Sequence, residues 1–327
     1  MALLDIIITH HTEPFACGRK MFEMLKNQLG IRKDDFRVIF VQDGPDAGID
    51  LGRLQQVYPF TETVITQPQL GVSAARNAGL EEANAEWVMF CDFDDCLYTV
   101  DSMYRITESI RQAGEDADLL WSDLWIEMRK KNGDFAKVLK GFNSVFIHGK
   151  VYRRQMLTEN GIRFDEDLDY SEDAMFNAIV MMTVRPERIA KMPEAVYIWC
   201  YREGSLSNYA GGDEKRNLSL YKKRVRTCEA YWTRGDLYNA RCAAARAMLD
   251  YYWEMNGARP IADEAHREEW LERIRAIPAR WPGALGKIRD EDRRELEKIA
   301  QEEARQKGFI RDGMPGIRAW LREIRAI

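Results

Sequence analysis

The chain has 327 residues, of which 46% are hydrophobic and 31% charged, with a formal net charge of −5. This is the profile of a soluble globular protein of about two domains. No run of about 18 apolar residues occurs, which excludes a membrane-spanning helix, and the opening MALLDIIITHHTEP lacks the basic segment and cleavage site of a signal peptide.

In chain order, Leu3–Thr9 is an apolar run expected to form a buried strand, and Met21–Leu29 has helical spacing. Phe36–Gln42 predicts a second strand, closed by Asp43-Gly44-Pro45, and Thr63–Thr66 a short third. Gly71–Ala85 reads as a helix, Trp87–Cys91 as a strand, Val100–Ala113 as a helix and Leu119–Met128 as one more strand. Strands alternating with helices predict an α/β fold with a mainly parallel sheet covered on both faces. The middle of the chain is mixed. Strands are expected at Ala136–Leu139, Val145–His148 and Val196–Tyr201, and helices near Arg153–Asn160 and Glu172–Met182. From Asp213 the pattern is helical, with helices expected at 214–233, 236–256, 263–276, 290–307 and 315–326. Residues 1–212 hold 23 basic and 33 acidic side chains, whereas 213–327 hold 25 and 20. Two domains with different roles are therefore expected, 1–212 and 213–327.

Three stretches carry chemistry. Cys91-Asp92-Phe93-Asp94-Asp95 follows a buried strand. Three carboxylates so close repel one another and are eased by a divalent cation, Mg²⁺ or Mn²⁺ for oxygen ligands. Gly71-Val-Ser-Ala-Ala-Arg76-Asn77 opens a helix, where backbone N–H groups and an arginine suit an anion. Tyr170-Ser171-Glu172-Asp173 precedes an apolar helical run. Its acids suit a helix first turn, or a general base at a cleft. The six cysteines form no CxxC pair and no zinc spacing, so free thiols in a reducing cytosol are expected.

Taken together, THHTE, QDGP, GVSAARNAG, WVMFCDFDD and RFDEDLDYSEDAMF, in this order, resemble the family-2 glycosyltransferases of the GT-A fold over about residues 1–210. HGKVYRR at 148–154 and YREGSLS at 201–207 fit the same family. The resemblance implies a Rossmann-like nucleotide-sugar-binding catalytic domain over 1–212, followed by an all-helical C-terminal domain. Thr9, His11 and Glu13 would line the nucleotide pocket, with Asp43 recognising base or ribose. Arg76 would lie near the phosphates and Asp92 near the ribose. Asp94 would hold the metal, helped by Asp95. Asp173 would be the base, with Glu172 beside it, and Arg202 and Ser205 would close over the diphosphate. Gln42 and Pro45 depart from the family pattern, as does His11. His148 is either a third metal ligand, an acceptor contact or a hydrogen-bonded structural residue.

The implied reaction is inverting, metal-dependent transfer from a nucleotide-diphospho-sugar, UDP being the family's commonest nucleotide, to an acceptor hydroxyl. The acceptor would be a glycan, a lipid-linked glycan or a protein. Phe90–Leu97 also looks like the nucleophile motif of haloacid-dehalogenase-like phosphatases, with Asp92 as nucleophile. A non-catalytic sugar-nucleotide-binding module is the other alternative. There is no strong nucleic-acid signal. Ile310, Met314, Ile317, Trp320, Leu321 and Ile324 could form one apolar helix face, either packed on its own domain or used for oligomer or cytoplasmic-face membrane contact.

Overall fold

The computed structural model describes residues 2–32, 34–45, 49–130, 132–203, 214–258, 260–284 and 286–324. The chain divides into two compact units, Met1–Gly211 and Gly212–Ile327.

The first unit is built on a seven-stranded sheet. Its parallel strands β1 (Leu4–His10), β2 (Phe36–Asp43), β3 (Thr61–Gln67) and β4 (Trp87–Asp92) lie in the order β4-β1-β2-β3, with β3 at the edge. Strands β1, β2 and β4 are mostly apolar because both faces are covered, whereas β3, at the sheet edge, leaves Glu62 and Thr66 exposed. In β1, Leu4, Ile6 and Ile8 face one core and Ile7 the other; in β4, Trp87, Met89 and Cys91 oppose Val88 and Phe90. Helices α1 (Phe15–Lys26) and α4 (Ser102–Ala113) supply Phe22, Leu25, Met103 and Ile106 to the first core. Helices α3 (Val72–Glu82), α5 (Arg154–Glu159) and α6 (Glu172–Thr183) supply Ala75, Leu157 and Phe176 to the second. Strand α-carbon pairing is completed by β6 (Leu119–Trp121), β9 (Lys150–Arg153) and β10 (Ile189–Lys191), where β9 runs antiparallel between β4 and β6. A second, four-stranded sheet has the order β5 (Cys96–Leu97), β11 (Tyr197–Trp199), β7 (Leu124–Arg129) and β8 (Phe135–Lys140).

Several elements differ from the sequence reading. The single strand expected over 119–128 is two strands in two different sheets. The hand-over falls at Ser122-Asp123, where the Ser122 N–H donates to the Gly149 carbonyl at 2.8 Å. An apolar run does not mark such a change of partner. Val145–His148 forms no strand; the pairing segment is Lys150–Arg153. Helix α1 starts six residues earlier than its apolar spacing indicates, and Gly18 gives its first half room. A Cβ there would stand 2.2 Å from the Phe93 ring. The short helix α2 (Leu51–Val57) has one cue, Asp50, whose carboxylate accepts the Arg53 N–H at 2.9 Å.

The second unit contains helices α7 (Glu214–Thr233), α8 (Leu237–Asn256), α9 (Arg267–Arg280), α10 (Asp290–Gln306) and α11 (Ile317–Glu323). Helix α9 runs past Pro278, which lacks the N–H that would pair with the Ile274 carbonyl, and ends two residues later at Arg280. Trp320, Leu321 and Ile324 are buried with Tyr252, Trp270 and Ile274, so this apolar face packs on its own unit; Ile310 is exposed. Among the described residues no helix is long and apolar enough to cross a membrane.

Candidate active site

The parallel register brings the carboxyl ends of β1, β2 and β4 together: Thr9 pairs with Asp92, and His10 with Gln42. Ligands of open α/β sheets bind beyond such ends. The loop after β1 is held by side chains of β2. His10 Nδ1 lies 2.6 Å from Gln42 Oε1, and His10 Nε2 lies 2.6 Å from the Glu13 carbonyl oxygen. The Gln42 amide donates to the carbonyls of His11 and Pro45. His11 Nδ1 approaches the Asp43 carbonyl oxygen at 2.6 Å, and its backbone N–H donates to Glu13 at 3.1 Å. Thr9 is buried at the strand end.

Asp43 works on the next segment. Its carboxylate accepts the N–H groups of Leu70 at 2.8 Å and Gly71 at 2.9 Å, and the Gln67 amide at 2.9 Å. It thus fixes the entrance to α3. Gly71 there has φ +97°, with nothing within 4 Å of a Cβ, so glycine answers a backbone requirement and not a steric one.

The buried face of α3 then presents Arg76. Its Nη2 donates to Asp92 Oδ1 at 2.9 Å; its Nη1 donates to Glu172 Oε1 at 2.9 Å and Asp173 Oδ1 at 2.7 Å. Burial disfavours the guanidinium charge, but Asp173, Asp92 and Glu172 outweigh it and hold the arginine above its ordinary value. Glu172 moves the other way: burial, then repulsion from Asp173, pushes it up to about 7 despite Arg76. The neighbouring Asn77 clasps the chain before α6, exchanging bonds with the Phe164 backbone at 2.9 and 3.0 Å and donating to Glu166 at 2.8 Å. Ser171, just ahead of the two acids, has φ +64°, the one positive φ outside glycine among the described residues. This local strain sits directly at the acids.

A second cluster lies on the other side of Asp92. His148 Nε2 is 3.0 Å from Asp92 Oδ2 and 3.7 Å from Asp95 Oδ2, and one ligand atom from each of these three residues falls within 4.8 Å of the others. Asp95 is fully buried. It accepts the Tyr197 hydroxyl at 2.9 Å and the Cys200 N–H at 2.8 Å, and burial pushes its carboxyl well above the usual range. Burial opposes ionisation of Asp92 too, but His148 and Arg76 reverse this and hold it well below its usual value. His148 is raised to about 9, burial being outweighed by Asp92. Its Nδ1, Arg76 Nε and Ser73 Oγ are buried without a hydrogen-bond partner among the described residues. Two carboxylates and an imidazole suit a divalent cation, and a cation would relieve the cost of ionising Asp95.

Asp94 stands apart from this trio. Its carboxylate is bound by Arg202, whose Nη2 also reaches Glu13 Oε1 at 3.1 Å. Arg202 therefore ties the loop after β1 to the acidic loop after β4. The structure thus gathers Asp92, Asp95, Arg76, Glu172 and Asp173 in one network and Glu13, Asp94 and Arg202 in another. Ser205 lies outside the described residues. The sequence reading did not single out Tyr197, Asn77 or Gln42 as scaffolding; a buried polar side chain at a strand end was the available signal for Gln42.

This arrangement is the GT-A glycosyltransferase fold. A fragment, 1–349, of S. aureus TarS in complex with UDP-GlcNAc superposes with a TM-score of 0.59 at 17% identity, covering 96% of this chain and 98% of that one. A mannosyltransferase from Pyrobaculum calidifontis in complex with GDP-Man and Mn²⁺ gives a TM-score of 0.50 at 15% identity, covering 94% and 86%. In sequence, residues 5–160 match the family described as Glycosyl transferase family 2. The glycosyltransferase EpsJ of Bacillus subtilis is 25% identical over 230 residues, 63% of each protein. The poly(ribitol-phosphate) β-N-acetylglucosaminyltransferase TarS of Staphylococcus aureus is 30% identical over 149 residues, 41% of this chain and 24% of the relative. The chain thus spans less than two-thirds of the length of both relatives. The first unit belongs to glycosyltransferase family 2. The family match includes Asp92–Asp95, the stretch that also looks like a phosphatase nucleophile motif.

Proposed function

We propose that the chain is an inverting, metal-dependent glycosyltransferase that moves a sugar from a nucleotide-diphospho-sugar, UDP-linked, to an acceptor hydroxyl. The first unit is the catalytic domain and the helical unit an accessory one. The carrying observation is the Arg76 guanidinium, bonded at once to Asp92 at the end of β4 and to Asp173 at the start of α6. One buried cation joins a donor-side acid to an acceptor-side acid.

In this reading Thr9, His11, Glu13 and Asp43 line the nucleotide pocket, and Asp92 faces the ribose. Asp94 and Asp95, with Asp92 and His148 beside them, would hold Mn²⁺ or Mg²⁺, which would supply neutralisation of the charge on the departing diphosphate. Arg202, already a cation on Asp94, exchanges that carboxylate for the diphosphate, with Ser205 in the same loop. Asp173 takes the proton of the acceptor hydroxyl, which attacks the anomeric carbon from the face opposite the leaving group. Arg76 keeps Asp173 oriented, and Glu172 contacts the acceptor side. Positioning of both substrates supplies much of the acceleration. The acceptor is a glycan, a lipid-linked glycan or a protein. The six free cysteines support a cytoplasmic site of action.

A screen of nucleotide-sugars with Mn²⁺ or Mg²⁺ tests the reading. Slow hydrolysis of one donor, with release of nucleoside diphosphate dependent on the metal, is expected. A thermal shift without turnover would leave a sugar-nucleotide-binding module without this activity, and neither response with any donor would overturn the reading.

A further inference from the structure

Exposed apolar side chains are unevenly distributed. Fifteen large ones are exposed among the described residues, and six of them, Met128, Phe135, Val138, Leu139, Phe142 and Val145, fall within the eighteen residues 128–145. The same stretch, MRKKNGDFAKVLKGFNSV, holds five Lys or Arg and a single Asp, although residues 1–212 as a whole have an acidic excess. Large exposed apolar groups in a polar surround mark interaction surfaces.

We propose that the β7–β8 hairpin docks the protein onto an anionic lipid bilayer. The strand register shows how the stretch is presented. Leu124 and Ile126 of β7 are buried, whereas Met128 and Arg129, paired with Ala136 and Phe135, are exposed, so the hairpin projects beyond the core. Every residue of the edge strand β8 except Ala136 is exposed. Phe135 is 56% and Leu139 48% exposed, which no core contact explains. Lys137 shares the strand face of Phe135 and Leu139, and Lys140 shares the opposite face with Val138, so on each face apolar groups stand beside an ammonium group. That pairing fits the boundary of a negatively charged membrane, where acyl chains take the rings and headgroups take the lysines. A neutral partner would leave the basic excess unanswered. A water-filled anionic polymer would leave the apolar one unanswered. The hairpin is also continuous with the candidate active site: Phe135 packs on Tyr201 at 5.7 Å, next to Arg202. A docked hairpin would therefore bring the donor-side loop close to hydroxyls carried on a lipid.

The test uses the full chain and sedimentation with vesicles of phosphatidylcholine alone or mixed with phosphatidylglycerol. Binding to the anionic vesicles is expected to exceed binding to the neutral ones by about tenfold at low salt and to fall as salt rises. The double variant Lys137→Glu, Lys140→Glu should lose about tenfold of that binding. Phe135→Ser with Leu139→Ser should lower it at unchanged charge. All four positions are exposed, and unchanged circular dichroism confirms folding. Equal binding to both vesicles, or unchanged binding by both variants, overturns the proposal. So does hairpin-dependent self-association without vesicle binding, which would make a second copy the occupant. None of these readouts needs sugar transfer, so failure of the enzymatic reading would be seen separately.

Discussion

Arg76 donates to Asp173 at 2.7 Å from a guanidinium that is itself buried. Three carboxylates share that one cation, and two of them lie on a helix almost a hundred residues further along the chain. Replacing Arg76 by Leu leaves Asp92, Glu172 and Asp173 facing each other with no cation between them. Removing one partner of a buried ionic cluster typically costs about 3–5 kcal/mol. Urea unfolding of Arg76→Leu should show a loss of that size; unchanged stability would mean that the cluster is solvated.

Asp173→Asn keeps the shape of the side chain and removes its basicity. A positioned general base contributes about 10²–10⁴-fold. Turnover should fall by that factor, while the affinity for the donor, measured by calorimetry, stays close to that of the parent. Transfer at the parental rate would refute the role given to Asp173.

Glu172 has an acid-range consequence. Its folded value, about 7, lies above its ordinary 4.5, so between these pH values the folded protein holds a proton that the unfolded chain releases. The stabilising contribution is complete below about 4.5 and is lost as pH rises through about 7. Its size is on the order of 3 kcal/mol. Glu172→Gln should flatten the profile of unfolding free energy across this window. A Gln variant with the parental slope would assign the titration elsewhere. Asp92 acts in the opposite sense: its contribution is present above its ordinary value and is lost only as pH falls through its depressed one.

Mn²⁺ added with UDP should raise the melting temperature of the parent. Ligand at about a hundredfold its dissociation constant stabilises by roughly 2.7 kcal/mol. In His148→Gln and Asp95→Asn the increment from the metal should be largely absent, while UDP alone behaves as before. An undiminished metal effect in both variants would move the cation away from this trio.

The central sheet was legible because its strands are apolar on both faces and end in polar residues, as in Ile6-Ile7-Ile8 followed by Thr9 and His10. The helical unit was legible from periodicity, and its last apolar stripe from Trp320, Leu321 and Ile324. The second sheet was not, because its strands are short and their partners distant: Cys96 pairs with Ile198, a hundred residues away. The acids at 92–95 stood out as a motif, but their different surroundings did not. Asp95 is buried under Tyr197, Asp94 meets Arg202, and Asp92 lies between Arg76 and His148. Those distinctions arise from β11 and from the segment before β9, which no local pattern connects to the DFDD loop. Arg76 was legible as a cation near the site; that its bonds go to three carboxylates became visible only with α6 folded against α3.

The hand-over at Ser122-Asp123 has a practical consequence. Strand β7 leaves the main sheet through two residues and returns as β8, pairing with β11 and with itself but with no strand of the main sheet. The exposed part of the hairpin, 128–140, can accordingly be exchanged, lengthened or recoloured in charge without altering the register of β1, β2 and β4, whereas Leu124 and Ile126 are tied into the core. Under the proposed docking role, grafting this part of the hairpin between relatives is a route to redirecting the surface on which the protein settles.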